Sequence, residues 1–171
     1  AELTLHCSRC QASAETYMGL VEVGVGLIPA GGGCKEMLSR LTDPGKVFEL
    51  IGMAKVSGSA AEAQSLGLLH KADRITMNPE RLLSDAKTLA LSLIPNWAPG
   101  APQANIPVGG EPAYAAMKIG AWSMLQGGFI SEYDFHIAQK LAGVLAGGRR
   151  LPGATSAQEL LDREREAFLS L

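Results

Sequence analysis

The residues with the clearest chemical capacity lie in one stretch, Tyr17 to Leu41 (YMGLVEVGVGLIPAGGGCKEMLSRL). Glu22 stands there inside an apolar neighbourhood of Leu20, Val21, Val23 and Val25. Burying an unpaired carboxylate is costly, and the usual compensation is a raised pKa or a specific partner, which makes such a group an acid/base candidate. A second carboxylate, Glu2, precedes it by a helix and a returning strand, a connection able to bring both to one point with a water between them. Two carboxylates in unequal environments can be tuned apart, one as base and one as acid. Behind Glu22 comes a glycine-rich turn, Gly24, Gly26 and Ala30-Gly31-Gly32-Gly33, broken by Pro29 and running into a helical pattern near Cys34. Its backbone N–H groups gather at a helix start and could hold a water or an oxygen anion. On the glycines alone a tight turn without a ligand is the plainer reading, and the alternative to an acid/base role for Glu22 is a strand-edge ion pair with Lys35 as candidate partner.

Other chemistries fit these residues poorly. Gly24-Val25-Gly26-Leu27-Ile28 continues to Pro29 where a dinucleotide fingerprint needs its third glycine, and Lys35, between Cys34 and Glu36, is not placed as in a P-loop. His6-Cys7-x-x-Cys10 lacks two further ligands for zinc, since Cys34, His70 and His136 supply no second paired motif, so no metal is expected. An odd count of three cysteines argues against a disulfide framework and for a reducing, cytoplasmic compartment, with the thiols buried on helices.

The elements that must position these groups follow from pattern. A short helix is expected from Glu2 to about Cys10, a connection over Gln11 to Glu15, and a half-buried strand over Tyr17 to Val21. Helices follow over Glu36 to Leu41 and, capped by Asp43 or Thr42 with Pro44 in its first turn, to about Met53. Ser59-x-x-Glu62 opens a helix stopped by Gly67, Lys71 to Met77 reads as a brief strand, and Asn78-Pro79 caps a helix with the stripe Leu82, Leu83, Ala86, Leu89, Ala90 and Leu93. Pro95 to Pro112 is too rich in proline and glycine for a regular element and reads as a connection. Three helices remain: Ala113 to Leu125; Ser131 to Ala146, capped by Ser131 with Asp134; and Ser156 to Leu171, capped by Ser156 with Glu159. The run Asp162 to Glu166 on the last reads as a solvated charged face.

The 171 residues suffice for a real core, and with 47% of them hydrophobic the chain is globular. A net charge of −2 offers nothing to nucleic acid or an anionic membrane surface, and no apolar run is long enough to span a bilayer. The abrupt start at Ala1 and the apolar FLSL end lead to the expectation of a piece cut from a longer protein.

A resemblance now becomes specific. Ala1-Glu2-Leu3, then Glu22-Val23, then Gly26-Leu27-Ile28-Pro29-Ala30-Gly31-Gly32-Gly33, resemble the second half of the crotonase (enoyl-CoA hydratase/isomerase) signature. In that family a GGG-x-E segment supplies one glutamate and a G-x-P-E-type segment the other, at this same separation, followed by G-x-I-P-G-x-G-G. Ala54-Lys55-Val56-Ser57, Ala61-Glu62-Ala63 and Leu66-Gly67-Leu68-Leu69 are similar to the family's next turn and helix, so the match covers Ala1 to about Asp73. The remainder, with GFISEYDFHIAQKLAGVLAGG and LLDREREAFLSL, resembles bacterial bifunctional proteins that join a 3-hydroxyacyl-CoA dehydrogenase to a C-terminal crotonase module. Val21 stands where the family has proline and Ala30 where it has glycine; alanine still offers the backbone N–H used there.

The resemblance implies an α/β crotonase-like spiral for the parent, of which this chain is a mainly α-helical piece with a few short strands. Residues 1–94 would be the second half of the core, 95–112 a connection and 113–171 a C-terminal helical subdomain. It implies hydration of a trans-2-enoyl-CoA thioester in fatty-acid β-oxidation. Glu2 would deprotonate the attacking water, Glu22 would protonate the α-carbon, and the amide of Ala30 or Gly31 would help place the water. Both oxyanion-hole donors of the family lie before Ala1; removal of one such donor costs about 10²–10³ in rate, so the isolated chain is expected to be inactive. NAD belongs to the dehydrogenase part, and no cofactor is expected within this stretch. Alternatives are an isomerase or thioesterase of the same family, or a non-catalytic role for 113–171 in homo-oligomer formation or docking to a thiolase.

Overall fold

Helix caps are where the sequence acts most directly on this structure, a computed structural model describing residues 1–171. In chain order the elements are α1 (Glu2–Leu5), β1 (Gln11–Ser13), a 3₁₀ turn (Glu22–Val25), α2 (Gly33–Leu41), α3 (Pro44–Gly52), α4 (Ala60–Ser65) and β2 (Arg74–Thr76). Then come α5 (Leu82–Leu93), β3 (Ile106–Val108), α6 (Gly110–Gln126), α7 (Glu132–Leu145), β4 (Gly153–Thr155) and α8 (Ala157–Leu169). The chain is thus mainly helical with a few short strands. Asp43 accepts the N–H groups of Gly45 and Lys46 ahead of α3, with Pro44 in the first turn where no N–H is needed. Ser131 and Asp134 cap α7 reciprocally, and Ser156 accepts the Glu159 N–H ahead of α8. Ser59 caps α4 through the Glu62 N–H, while the Glu62 carboxylate reaches the N–H of Gly58.

Contacts divide the chain into two units that interleave along it. The first comprises residues 1, 3–19 and 56–101. Its β1 and β2 pair in parallel, with Gln11, Ala12 and Ser13 opposite Arg74, Ile75 and Thr76. Leu5, Ala12, Met18, Ala60, Ala63, Leu68, Leu69 and Leu89 are buried there. Buried Asp73 ties its loops, accepting the N–H groups of Cys10 at 2.8 Å and His70 at 2.7 Å. The second unit comprises residues 2, 20–55 and 102–171. In it α2, α3, α6, α7 and α8 enclose Leu20, Ile28, Met37, Leu38, Ile51, Ile137, Leu141, Leu145 and Leu160, and β3 pairs antiparallel with β4.

Several expectations are corrected. Tyr17 to Val21 is not a strand: only Gly19 bridges, to Val56, because Met18 gives its N–H to the Ser57 hydroxyl and Tyr17 is exposed. Gln11–Ser13, read as a connection, is a strand whose partner lies far along the chain. The helix begun at Glu2 stops at Leu5, where the His6 and Cys7 N–H groups turn back to Leu3 and Thr4. The stretch 95–112 contains β3, with Pro107 at its centre; a two-stranded pair tolerates proline because one edge needs no donor. α6 also begins inside that stretch, with Pro112 in its first turn. Of the α5 stripe only Leu89 is buried, and Leu83 lies exposed. The thiols differ as well: Cys34 is buried, Cys10 half-buried and Cys7 exposed.

Asp73→Ala leaves two amides of the first unit without their acceptor, which costs about 2 kcal/mol. Urea unfolding should show that loss, and hydrogen exchange should accelerate at the Cys10 and His70 amides; unchanged exchange at both would refute the tie.

Candidate active site

The second unit brings Glu2 back to the glycine turn. Its Oε1 accepts the N–H of Gly31 at 2.8 Å and the N–H of Gly33 at 2.8 Å. A carboxylate not anticipated from sequence takes the amides between and beyond. Glu164 of α8 accepts the N–H of Gly32 at 2.9 Å and of Lys35 at 2.5 Å. No side chain of the turn itself caps α2, so these two carboxylates do the capping and complement the positive end of its dipole. The Ala30 N–H makes no hydrogen bond within the chain.

Each of the three glycines has its own reason. A Cβ at Gly31 would stand 2.6 Å from Glu2 Oε2, and one at Gly33 would stand 2.8 Å from Glu2 Oε1. Gly32 has φ of 95°, a left-handed backbone that favours glycine. Two glycines thus admit the carboxylate, and the third turns the chain.

Glu22 opens the 3₁₀ turn and is half-buried; its Oε2 is buried and has no hydrogen-bond partner. The ion pair with Lys35 does not form, for Lys35 pairs with Glu36. Cys34, with its Sγ directed to the Pro29 carbonyl oxygen, lies among all three carboxylates: burial pushes its thiol well up, and the charges of Glu164, Glu2 and Glu22 push it further. The four expected site residues are therefore placed in one unit: Glu2 on the turn, Glu22 unpartnered beside the shared neighbour Cys34, Ala30 with a spare N–H, and Gly31 with its N–H given to Glu2.

Glu164 is fully buried, which corrects the solvated-face reading of Asp162 to Glu166 at that residue. The signal was present: Ala157, Leu160, Leu161, Glu164, Ala167 and Phe168 share one helical stripe, so Glu164 falls on the packed face of α8. Burial raises its pKa to about 7, against the lowering effect of the Lys35 and Gly32 amides, with the charge of Glu2 adding to the rise.

An apolar pocket of about 420 Å³ begins one residue beyond Glu22, lined by Val23, Gly24, Phe48, Met124, Phe129 and Leu141 among others. A Cβ at Gly120, also on its wall, would meet nothing within 4 Å. These residues do not fit a nicotinamide dinucleotide: Gly24 and Gly26 belong to the 3₁₀ turn and its cap, and the amides of the turn before α2 are held by carboxylates, which oppose a pyrophosphate. No helix is long and apolar enough to cross a membrane.

The proteins similar to this chain are named for reactions of coenzyme A thioesters. The chain is 51% identical over 181 aligned residues to a probable 3-hydroxyacyl-CoA dehydrogenase of Bacillus subtilis, covering 99% of this chain and 23% of that protein. It is 36% identical over 89 residues to a crotonyl-CoA hydratase of Syntrophomonas wolfei, covering 52% of this chain and 32% of that one. It is 34% identical over 95 residues to a short-chain-enoyl-CoA hydratase of Clostridium acetobutylicum, covering 56% of this chain and 34% of that one. The chain thus spans a quarter to a third of the length of these relatives. No family model matches it.

The raised pKa of Glu164 has a stability consequence. The folded chain holds the proton more tightly than the unfolded one, whose glutamate titrates near 4.5, so this contribution is complete below about 4.5 and is lost as pH rises through about 7. Urea unfolding from about pH 5 to about pH 8 should show wild type losing up to ~3 kcal/mol relative to Glu164→Gln, which carries no charge. Parallel curves for the two proteins would exclude a strongly raised pKa.

Proposed function

We propose that this chain carries the water-activating half of an enoyl-CoA hydratase of fatty-acid β-oxidation, in the C-terminal, crotonase-like part of a protein that also contains a 3-hydroxyacyl-CoA dehydrogenase. The observation that carries the reading is the buried, unpartnered Oε2 of Glu22, in the same unit as the Glu2 carboxylate and the spare Ala30 N–H. A buried acceptor without a partner is costly, and a water that also meets a donor and a second carboxylate relieves it. The names of the similar proteins supply the substrate class, a coenzyme A thioester.

In this mechanism Glu2 takes a proton from the water as its oxygen bonds to the β-carbon. The π electrons move towards the thioester, and the α-carbon takes a proton from the Glu22 carboxyl group, which acts as the acid. One water is added, and the proton gained by Glu2 replaces the one given by Glu22 before the next turnover. The Ala30 N–H orients the water, a role left to it because Gly31 gives its N–H to Glu2. The thioester oxyanion needs donors that the family resemblance places upstream of Ala1, and NAD chemistry belongs to the dehydrogenase segment outside this chain. The apolar pocket beyond Glu22 takes the acyl chain.

The test is hydration of crotonyl-CoA, followed by loss of the enoyl-thioester absorbance, for this chain and for the protein extended through its upstream crotonase segment. Activity is expected only in the extended protein, and Glu2→Gln or Glu22→Gln should lower kcat by at least about 10³. A folded, extended protein without hydratase activity would overturn the reading.

A Cβ at Gly120 meets open space on the pocket wall, so Gly120→Leu is the substitution chosen to narrow the pocket from α6. It should lower kcat/KM for a ten-carbon enoyl-CoA by about tenfold and leave the four-carbon substrate within about twofold. Equal effects on both lengths would show that the acyl chain lies elsewhere.

A further inference from the structure

Glu164 is the one fully buried carboxylate that the proposed hydration leaves without a role. Its two oxygens accept from different amides, Oε2 from Gly32 and Oε1 from Lys35, and those residues flank Gly33, which with Gly31 holds Glu2. Alternate amides of one short turn are therefore gripped by two carboxylates. We propose that Glu164 is a positioning residue of the candidate active site, fixing the glycine turn so that Glu2 and the Ala30 N–H are held for catalysis, and releasing one of the turn's amides when it takes up a proton.

The geometry gives the direction of the effect. An ionised carboxylate accepts on both oxygens, whereas a protonated one keeps a good acceptor on only one of them. Protonation thus loosens either Gly32 or Lys35, and the turn gains freedom where Glu2 is seated. The titratable groups facing Glu164 are Glu2, across the turn, and Lys35 and Cys34 of α2. Lys35 favours the charged form, Glu2 opposes it, and Cys34 stays a neutral thiol in this range. Burial outweighs the amide bonds, which brings the transition close to neutrality. Glu2 and the turn would then be best ordered above about pH 7, although the chain as a whole is stabilised by the proton. The catalytic consequence rests on the hydratase reading; the clamp itself does not.

The test is a titration of the backbone amides of Gly31, Gly32, Gly33 and Lys35 in this chain by ¹⁵N nuclear magnetic resonance from about pH 5 to about pH 9. A common midpoint near 7 is expected in wild type, largest at Gly32 and Lys35, and it should vanish in Glu164→Gln. The capping box of α7 serves as the folding control, since the Ser131 and Asp134 amides should not move between the two proteins. Amides that do not titrate in this range, or that titrate identically in Glu164→Gln, would overturn the clamp. In the extended protein Glu164→Gln should lower kcat about tenfold or more with KM for crotonyl-CoA changed less than about threefold, and should remove the limb of the pH profile near 7. Hydration with an unchanged kcat and pH profile in that variant would overturn the positioning role. Absence of hydration together with the expected amide titration would overturn the hydratase reading and leave the clamp standing.

Discussion

The constraint on which the site depends is that the amides at the start of α2 must find acceptors without water. Gly32, Gly33 and Lys35 are buried, and a buried backbone donor left unpaired costs about 1–3 kcal/mol. Local capping is unavailable, because the positions before the helix are glycines with no side chain to offer. The chain answers with acceptors from its two ends, Glu2 near the start and Glu164 near the finish. Both ends of the sequence are thereby drawn onto one turn, and the turn is glycine because Glu2 occupies the space where two Cβ atoms would stand.

Three carboxylates close to one buried thiol are electrostatically unfavourable, and the structure separates them by environment. Glu2 is half-buried with two amide donors on a single oxygen. Glu164 is fully buried with one donor on each oxygen, and it is the group whose pKa rises to about 7. Glu22 is half-buried with an oxygen that meets no donor at all. Like charges in such proximity favour neutralising one member, and the most desolvated is the one that yields. Glu164 thereby carries the raised pKa, chiefly through its burial, while Glu2 keeps two amide donors on one oxygen and Glu22 Oε2 has none.

What could be read from the sequence was what depends on neighbours along the chain. Asp43 with Pro44, Ser131 with Asp134 and Ser156 with Glu159 are caps settled within one helical turn, and the structure places each as expected. Of the strands only Arg74–Thr76, inside the expected Lys71 to Met77, could be read this way; Gln11–Ser13 and Ile106–Val108 are strands only by virtue of distant partners at Arg74–Thr76 and Gly153–Thr155. Three residues carry little alternation to distinguish a strand from a connection. Glu164 was hidden differently: its neighbours Asp162, Arg163, Arg165 and Glu166 set a charged context, and only its helical phase with Leu160 and Phe168 marked it as inward-facing. Position on the stripe outweighs composition of the run.

The similar proteins carry two kinds of name, a dehydrogenase and two hydratases, and the residues discriminate between what this stretch can contribute to either. Hydride transfer needs a dinucleotide cradle of free amides at a helix start, and here those amides are closed by carboxylates that repel phosphate. Water addition needs an acid and a base group, and this unit holds Glu22 with an oxygen that meets no donor and Glu2 held by the amides of the glycine turn. The fold satisfies Gly31, Gly32, Gly33 and Lys35 and, in the same unit, leaves Glu22 Oε2 and the Ala30 N–H unpaired. Real proteins break local rules most often at functional sites, and an unmet buried acceptor such as Glu22 Oε2 is a breach of that kind.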